Sequence, residues 1–261
     1  MQIKTLCAAI ALLGAAGVAL ADDLADGIKA WEKQDFARAH QLLGKLAQSG
    51  NPEAQLLVGE MYGFGEGVAE DPAQAESWLT KAKAAGHKDA ANSLLVLQQR
   101  KVRKADIDFY RSAYTGEELA YAKQGCVAPD FPDASHTQEE IKEVKARMAE
   151  WEACYQRFGQ GLAGAQPAGK LIPGSIGRLM SAGELQQARS TMDKAYARIA
   201  GEGEQSGRQV IAAHDAWAER TKQWTIAMHK KTQDDMTKRS REINDLNERR
   251  RAMLANPGMS R

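Results

Sequence analysis

An internal repeat constrains this chain more than any other feature of its sequence. Asp35-Phe36-Ala37-Arg38-Ala39 opens a segment that closes at Leu46-Ala47-Gln48-Ser49-Gly50. About 36 positions later, Asp71-Pro72-Ala73-Gln74-Ala75 opens another that closes at Lys81-Ala82-Lys83-Ala84-Ala85-Gly86. Each opens on Asp, whose side chain accepts a backbone N–H at a helix start, and each closes on Gly, which supplies a left-handed stop. Pro72 suits a first helical turn, where its missing N–H costs nothing. Ala39, Leu42, Leu43 and Leu46 align with Ala75, Trp78, Leu79 and Ala82, so one apolar helical face occurs twice. Ala54 and Val58 likewise recur as Ala90 and Leu94. Repeats of this period cannot bury their apolar faces alone, so helix pairs must stack. Composition agrees: strand-formers are scarce, while Ala, Leu, Gln, Glu, Lys and Arg abound.

The stretch Ala54-Gln55-Leu56-Leu57-Val58-Gly59-Glu60-Met61-Tyr62-Gly63-Phe64-Gly65-Glu66-Gly67-Val68, followed by Asp71, Ala75, Trp78, Leu79, Lys81, Ala82 and Gly86, resembles the Sel-one-like repeat, a relative of the tetratricopeptide repeat. Val58 stands where that pattern usually has Leu. The resemblance covers residues 24–97, and the first unit, with Trp31 but no glycine loop, is degenerate. It implies a short α-solenoid in which Ala54 and Gly59 permit close approach, Tyr62 and Trp78 fill the seam, and Ala82 and Gly86 complete the repeat-packing set. Gly63, Gly65 and Gly67 are expected to form the turn between paired helices. The resemblance also implies an adaptor that grips a protein or peptide partner, with Arg38, Gln55 and Glu60 as candidate groove residues. Some secreted proteins with such repeats carry a cysteine pair in every repeat and are linked to β-lactams; no cysteine lies in the repeats here, so that link does not carry over.

The N-terminus has the three parts of a signal peptide. Lys4 supplies the positive start, Leu6 to Leu20 carry no charge, and Ala19-Leu20-Ala21 places small residues where a peptidase needs them. Cleavage is expected between Ala21 and Asp22, and the mature chain is expected in the periplasm or outside the cell. Of three cysteines, Cys7 leaves with the leader, and Cys126 and Cys154 remain. In an oxidising compartment they are expected to pair. The alternatives are two free thiols or a metal site, the latter poorly supported because His136 is the only histidine between them.

The expected organisation is a leader over 1–21, a solenoid over 22–103, a disulfide-stapled region over 104–180 and a long-helix region over 181–261. About two and a half units leave an apolar face uncovered, and a helix from Asp89 to about Arg103 is expected to cap it. Cys126 to Asp133 reads as a non-helical connector because Pro129 and Pro132 disfavour helix before them. Ser135 or Thr137 then caps an amphipathic helix with Ile141, Val144, Met148, Trp151 and Tyr155 on one stripe. Gly159 to Gly177 reads as linker or loop. A break at Gly201-Glu202-Gly203 is expected to separate a helix over 184–200 from one over 206–254, with Val210, Ala213, Trp217, Trp224 and Met228 on one face.

A formal net charge of +1 gives no case for nucleic acid. No His-Glu-x-x-His, Gly-x-Ser-x-Gly or phosphate-loop pattern occurs, and no cofactor or metal is expected. The arginines and lysines near the C-terminus, from Lys230 to Arg251, are interleaved with acids. They read as a solvated helix, with an anionic envelope surface as the weaker alternative. The function expected is a non-enzymatic interaction module of the bacterial envelope. One alternative is an envelope enzyme in which His136, Asp130 and Asp133 converge. Another is a self-associating protein that buries Trp217 and Trp224 in a helical dimer or coiled coil.

Overall fold

The computed structural model describes residues 23–255; the leader over 1–21 and its cleavage point at Ala21 and Asp22 lie outside them. Among the described residues there is no strand, and the fold is all-α: a short solenoid of helix pairs followed by a helical region with a long terminal helix. The chain divides into two compact units. The first comprises the chain to Thr115 together with Pro167–Lys194, and the second Gly116–Gln166 with everything from Ala195 onward. The stretch 104–180, grouped as one region from the sequence, is therefore shared between them.

In the first unit, α1 (23–32), α2 (Phe36–Gln48), α3 (Pro52–Phe64), α4 (Pro72–Ala84) and α5 (Ala90–Asp108) follow one another. Asp35 accepts from the Arg38 N–H, Asn51 from that of Ala54, and Asp71 from those of Ala73 and Gln74. These caps fix where α2, α3 and α4 begin. Ala39, Leu43, Leu46, Ala54, Leu57, Val58 and Met61 form one buried cluster, with Trp31, Tyr62 and Trp78 packed half-buried against it. Leu56, Ala75, Leu79, Ala82, Ala90 and Leu97 form the next. Gly59 sets the spacing between α3 and α4, because a Cβ there would stand 2.8 Å from Leu79 Cγ. Gly63 continues α3 rather than joining the turn. The turn rests on Gly65 and Gly67, at φ 70° and 74°, and a Cβ on Gly67 would meet the Phe36 carbonyl oxygen at 2.6 Å.

The cap on the solenoid differs from the expectation. Helix α5 runs five residues past Arg103, passes into a π turn at Phe109–Ala113, and itself needs covering. The cover comes from far along the chain. Ile176, Leu179, Met180 and Ala188 are buried with Ile107, and Val96, Tyr110, Ile172 and Leu185 pack around them. Each large aliphatic side chain so buried contributes about 1.5–3 kcal/mol. The sequence hid this cap because glycines and two prolines interrupt its apolar spacing: residues 167–180 hold only one short helix, α7 (Gly174–Gly177). A buried ion pair fastens it. Arg100 donates to both oxygens of Glu184, at 2.8 and 3.1 Å, and to the Leu179 carbonyl. Glu184 also accepts from Arg111 at 3.2 Å and from the Ser181 N–H at 2.9 Å.

In the second unit, Thr137 opens α6 (Gln138–Gly164) with a reciprocal cap: its hydroxyl accepts from the Glu140 N–H, and Glu140 reaches back to the Thr137 N–H. Ser135 is not the cap. It is buried, donating its N–H to Thr221 Oγ1 and accepting from the Trp217 indole. Val144, Met148, Trp151, Cys154 and Phe158 form the buried face of α6, while Ile141 and Tyr155 are half-buried. Cys126 and Cys154 are bonded, fixing the connector to this helix.

Helix α8 (Ala182–Ala255) begins in the first unit and continues through the second without interruption. The break expected at Gly201-Glu202-Gly203 does not occur. Gly203 is buried because a Cβ there would lie 2.4 Å from Phe158 Cε1, and Gly207 similarly faces the Tyr155 ring at 3.0 Å. The second glycine of the trio thus marks close packing of α8 on α6, and helix propensity yields to that contact. Gly203, Gly207, Val210, Trp217 and Thr221 are buried at helical spacing, whereas Ala213 and Met228 are exposed. From Ile226 to Leu254 every residue is exposed.

Candidate functional site

The cleft with the most concentrated chemistry lies within the first unit, between α3 and α5 and above Leu79 of α4. It encloses about 180 Å³. Gly59, Glu60, Gly63 and Phe64 form one wall; Asn92, Ser93, Val96, Leu97 and Arg100 form the other; Arg178 joins them from the segment after α7. The repeat explains this placement. Helices α3 and α5 occupy the same position in successive helix pairs, so cleft residues project from equivalent faces. The two glycines matter because side chains at 59 and 63 would occupy the wall.

Glu60 is half-buried and accepts from Ser93 Oγ at 2.7 Å. Burial pushes its carboxyl above the ordinary carboxylate range; the Ser93 hydroxyl opposes this, Glu66 and Glu53 push it further, and His87 opposes it. Glu66 is raised for the same first reason, burial, opposed by the Trp31 indole that donates to it at 3.2 Å. Two further acids of this region have side-chain partners. Glu53 meets His87 Nε2 at 2.8 Å, and Glu70 has Arg100 at 3.6 Å and Lys104 at 3.4 Å. Arg100 also stands 4.4 Å over the Phe64 ring, so its charge faces apolar and aromatic surface as well as Glu184.

The sequence-expected groove residues separate. Glu60 lines the cleft. Gln55 does not: it is 7% exposed, and its amide donates to the Ala47 carbonyl at 3.1 Å, tying α3 to the end of α2. Arg38 is exposed on α2 and takes no part in the cleft. Sequence reasoning missed Phe64, Ser93, Arg100 and Arg178. Carrying the repeat register of about 36 residues from α3 to α5 places Val96 opposite Glu60 and Arg100 opposite Phe64, which would have found the second wall. Nothing local in the sequence points to Arg178.

The second unit does not assemble the acid–base group considered from the sequence. Asp133 pairs with Arg220 at 2.9 Å, the His136 ring lies 4.7 Å from that of Trp224, and Asp130 lines a separate cleft beside Arg147 and Arg157. Trp217 is 3% exposed, packed near Phe131 within this unit, so it has no free face to offer a dimer. Among the described residues no group of three His, Cys, Asp or Glu is placed to hold a metal, and no helix is long and apolar enough to cross a membrane.

Stacked helix pairs with small-residue seams, and a cleft between equivalent helices of successive pairs, define the N-terminal part as a helical-repeat solenoid of the protein-interaction class. Its particular kind follows from the comparisons: residues 19–51 and 52–87 each match the family model of the Sel1 repeat, so this segment is a tandem pair of Sel1 repeats. No curated protein and no solved structure matches the chain. Sel1 repeats suggest a protein–protein interaction module.

Proposed function

We propose that the chain is an exported, non-enzymatic adaptor of the bacterial envelope that holds a protein or peptide partner in the α3–α5 cleft. The observation that carries this reading is the cleft itself: apolar and polar side chains around a half-buried carboxylate that is in no ion pair among the described residues, on adjacent helices of a repeat type associated with protein interaction. Export is supported by the charge and size pattern of residues 1–21 and by the pairing of Cys126 with Cys154, since disulfides persist in oxidising compartments.

Two measurements test it. Determining the N-terminus of the protein recovered from cells checks export: the expected first residue is Asp22, and an intact Met1 in the cytoplasm refutes that part. A photo-crosslinker at Asn92, beside one at the exposed position Lys238, checks the cleft in intact envelopes. The adaptor reading expects one defined adduct from Asn92 that a Ser93→Trp change, which fills the cleft from a half-buried wall position, removes. Adducts equal at both positions, or unaffected by Ser93→Trp, refute it.

A further inference from the structure

Resting on the reading of the cleft as a partner groove, we infer that its occupant is a lysine side chain of the partner, the ammonium seated on Glu60 and the methylene stem along Phe64, Val96 and Leu97. Four observations carry this. First, Glu60 is the acid that lines the groove, and among the described residues no ion pair within 4.0 Å reaches it, whereas the nearby Glu70 and Glu184 each meet an arginine. Second, its bond to Ser93 does not require a charge. A glutamine would accept the same hydroxyl, so the fold has no evident need for a desolvated carboxylate there, and burial together with Glu66 and Glu53 works against the ionised form.

Third, the shape suits a long apolar stem with a charged tip. A cavity of about 180 Å³ with Phe64, Leu79, Val96 and Leu97 in its walls receives methylenes, and the only acidic group lining it is Glu60. Fourth, the acceptor pattern selects ammonium over guanidinium. Ser93 Oγ, 2.7 Å from Glu60 Oε1, sets a further acceptor beside the carboxylate, a cluster around one point that suits the three donors of a compact ammonium better than the planar fork of a guanidinium. A compact ammonium can use Oε2 and Ser93 Oγ together. Arg100 does not oppose this cation strongly, because Glu184 and Glu70 neutralise it. Arg178, exposed in the same cleft and in no ion pair among the described residues, favours an acidic residue next to the lysine.

The test is an NMR titration of the ¹⁵N-labelled mature protein with the blocked peptide acetyl-Ala-Lys-Asp-Ala-amide, its norleucine analogue and its arginine analogue. Saturable shifts on Glu60, Ser93 and Val96 with the lysine peptide are expected, weakened by roughly tenfold or more in the norleucine peptide and in Glu60→Gln. A thermal melt of Glu60→Gln that is unchanged or raised shows that the loss is not unfolding. Ser93→Ala, which keeps the charge, should weaken binding less than Glu60→Gln does. Equal binding of the norleucine peptide overturns the lysine inference while leaving the cleft a peptide groove. Tighter binding of the arginine peptide overturns it too. No shift in the cleft with any peptide also overturns it, and the adaptor reading then stands or falls on its own crosslinking result.

Discussion

Gly201 and Gly203 sit two residues apart in the same uninterrupted helix, yet alanine at each should move stability in opposite directions. At Gly201 nothing lies within 4 Å of an added Cβ. There, alanine gains the ordinary helix advantage over glycine, about 0.8–1.0 kcal/mol. At Gly203 the same gain meets a collision, with the new Cβ 2.4 Å from Phe158 Cε1 and 2.6 Å from Cζ. The ring cannot step aside cheaply: Phe158 is 5% exposed and packed edge-on to Tyr121 at 5.3 Å and beside Tyr155 at 5.9 Å. Overpacking of this kind costs about 1–3 kcal/mol and outweighs the propensity gain. Gly203→Ala should therefore lose about 1–2 kcal/mol net, and the pair should differ by roughly 2–3 kcal/mol. Urea unfolding followed through tryptophan emission in a Trp31→Phe, Trp78→Phe background reads the second unit, which holds Trp151, Trp217 and Trp224. Stabilisation of both variants by the same amount would refute the claim that Gly203 is kept for packing. Destabilisation of both would refute the continuous helix, since Gly201 would then be serving as a break.

Other parts of the structure make separate predictions. Glu184→Ala removes the nearer counter-charge of buried Arg100 and should cost about 3 kcal/mol, measured by denaturation of the first unit, because the buried cation keeps only Glu70 at 3.6 Å. Reducing the Cys126–Cys154 bond, which spans 28 positions, should lower stability by about 2–4 kcal/mol, seen as a fall in melting temperature with reductant that is absent in the double serine variant. Glu60 binds its proton more tightly folded than unfolded, so its contribution is largest below the ordinary value of 4.5 and is lost as pH rises through the raised folded value. The melting temperature of Glu60→Gln minus that of the unaltered protein should thus grow from pH 4.5 towards neutrality, and a flat or shrinking difference would contradict the burial of that carboxyl. Ending the chain after Thr225 should leave the melting temperature unchanged within about 1 °C, because Ile226 to Leu254 are all exposed and pack on nothing in the fold.

What could be read from the sequence and what could not divides along a physical line. Helix caps and repeat spacing are local, so Asp35 and Asp71 opened helices where simple capping chemistry puts them, and the Ala and Leu stripes of α2 and α4 landed in the core. Tight packing is not local. Gly203 reads as a helix breaker until Phe158, distant in sequence, is known to lie against it, and the same ambiguity made Gly63 look like part of a turn when it continues α3. Gln55 shows the same problem in a polar residue: its type suits a groove, but its neighbour across the helix hairpin is the Ala47 carbonyl, and a buried amide takes the bond that burial demands.

The cleft lies on that line. Half of it was legible, because Glu60 belongs to a recognised repeat helix; the other half depends on α5 repeating the α3 register after the motif itself has faded. The segment that completes it, with Arg178, comes from the cap, and the cap exists because a solenoid this short cannot leave its last apolar face bare. The same requirement explains the Arg100–Glu184 pair. The cap before α8 is loop and one short helix with little regular structure to hold it, so a buried, hydrogen-bonded charge pair at the start of α8 fixes its register on α5 where apolar contacts alone would allow sliding. Loosening that pair should then disturb the cleft as well as the fold. Glu184→Gln, which keeps the shape but halves the charge balance, should shift the NMR signals of Val96 and Arg178 while leaving those of α1 and α2 in place. If the shifts instead spread evenly over the solenoid, the cap and the cleft wall are not one structural element.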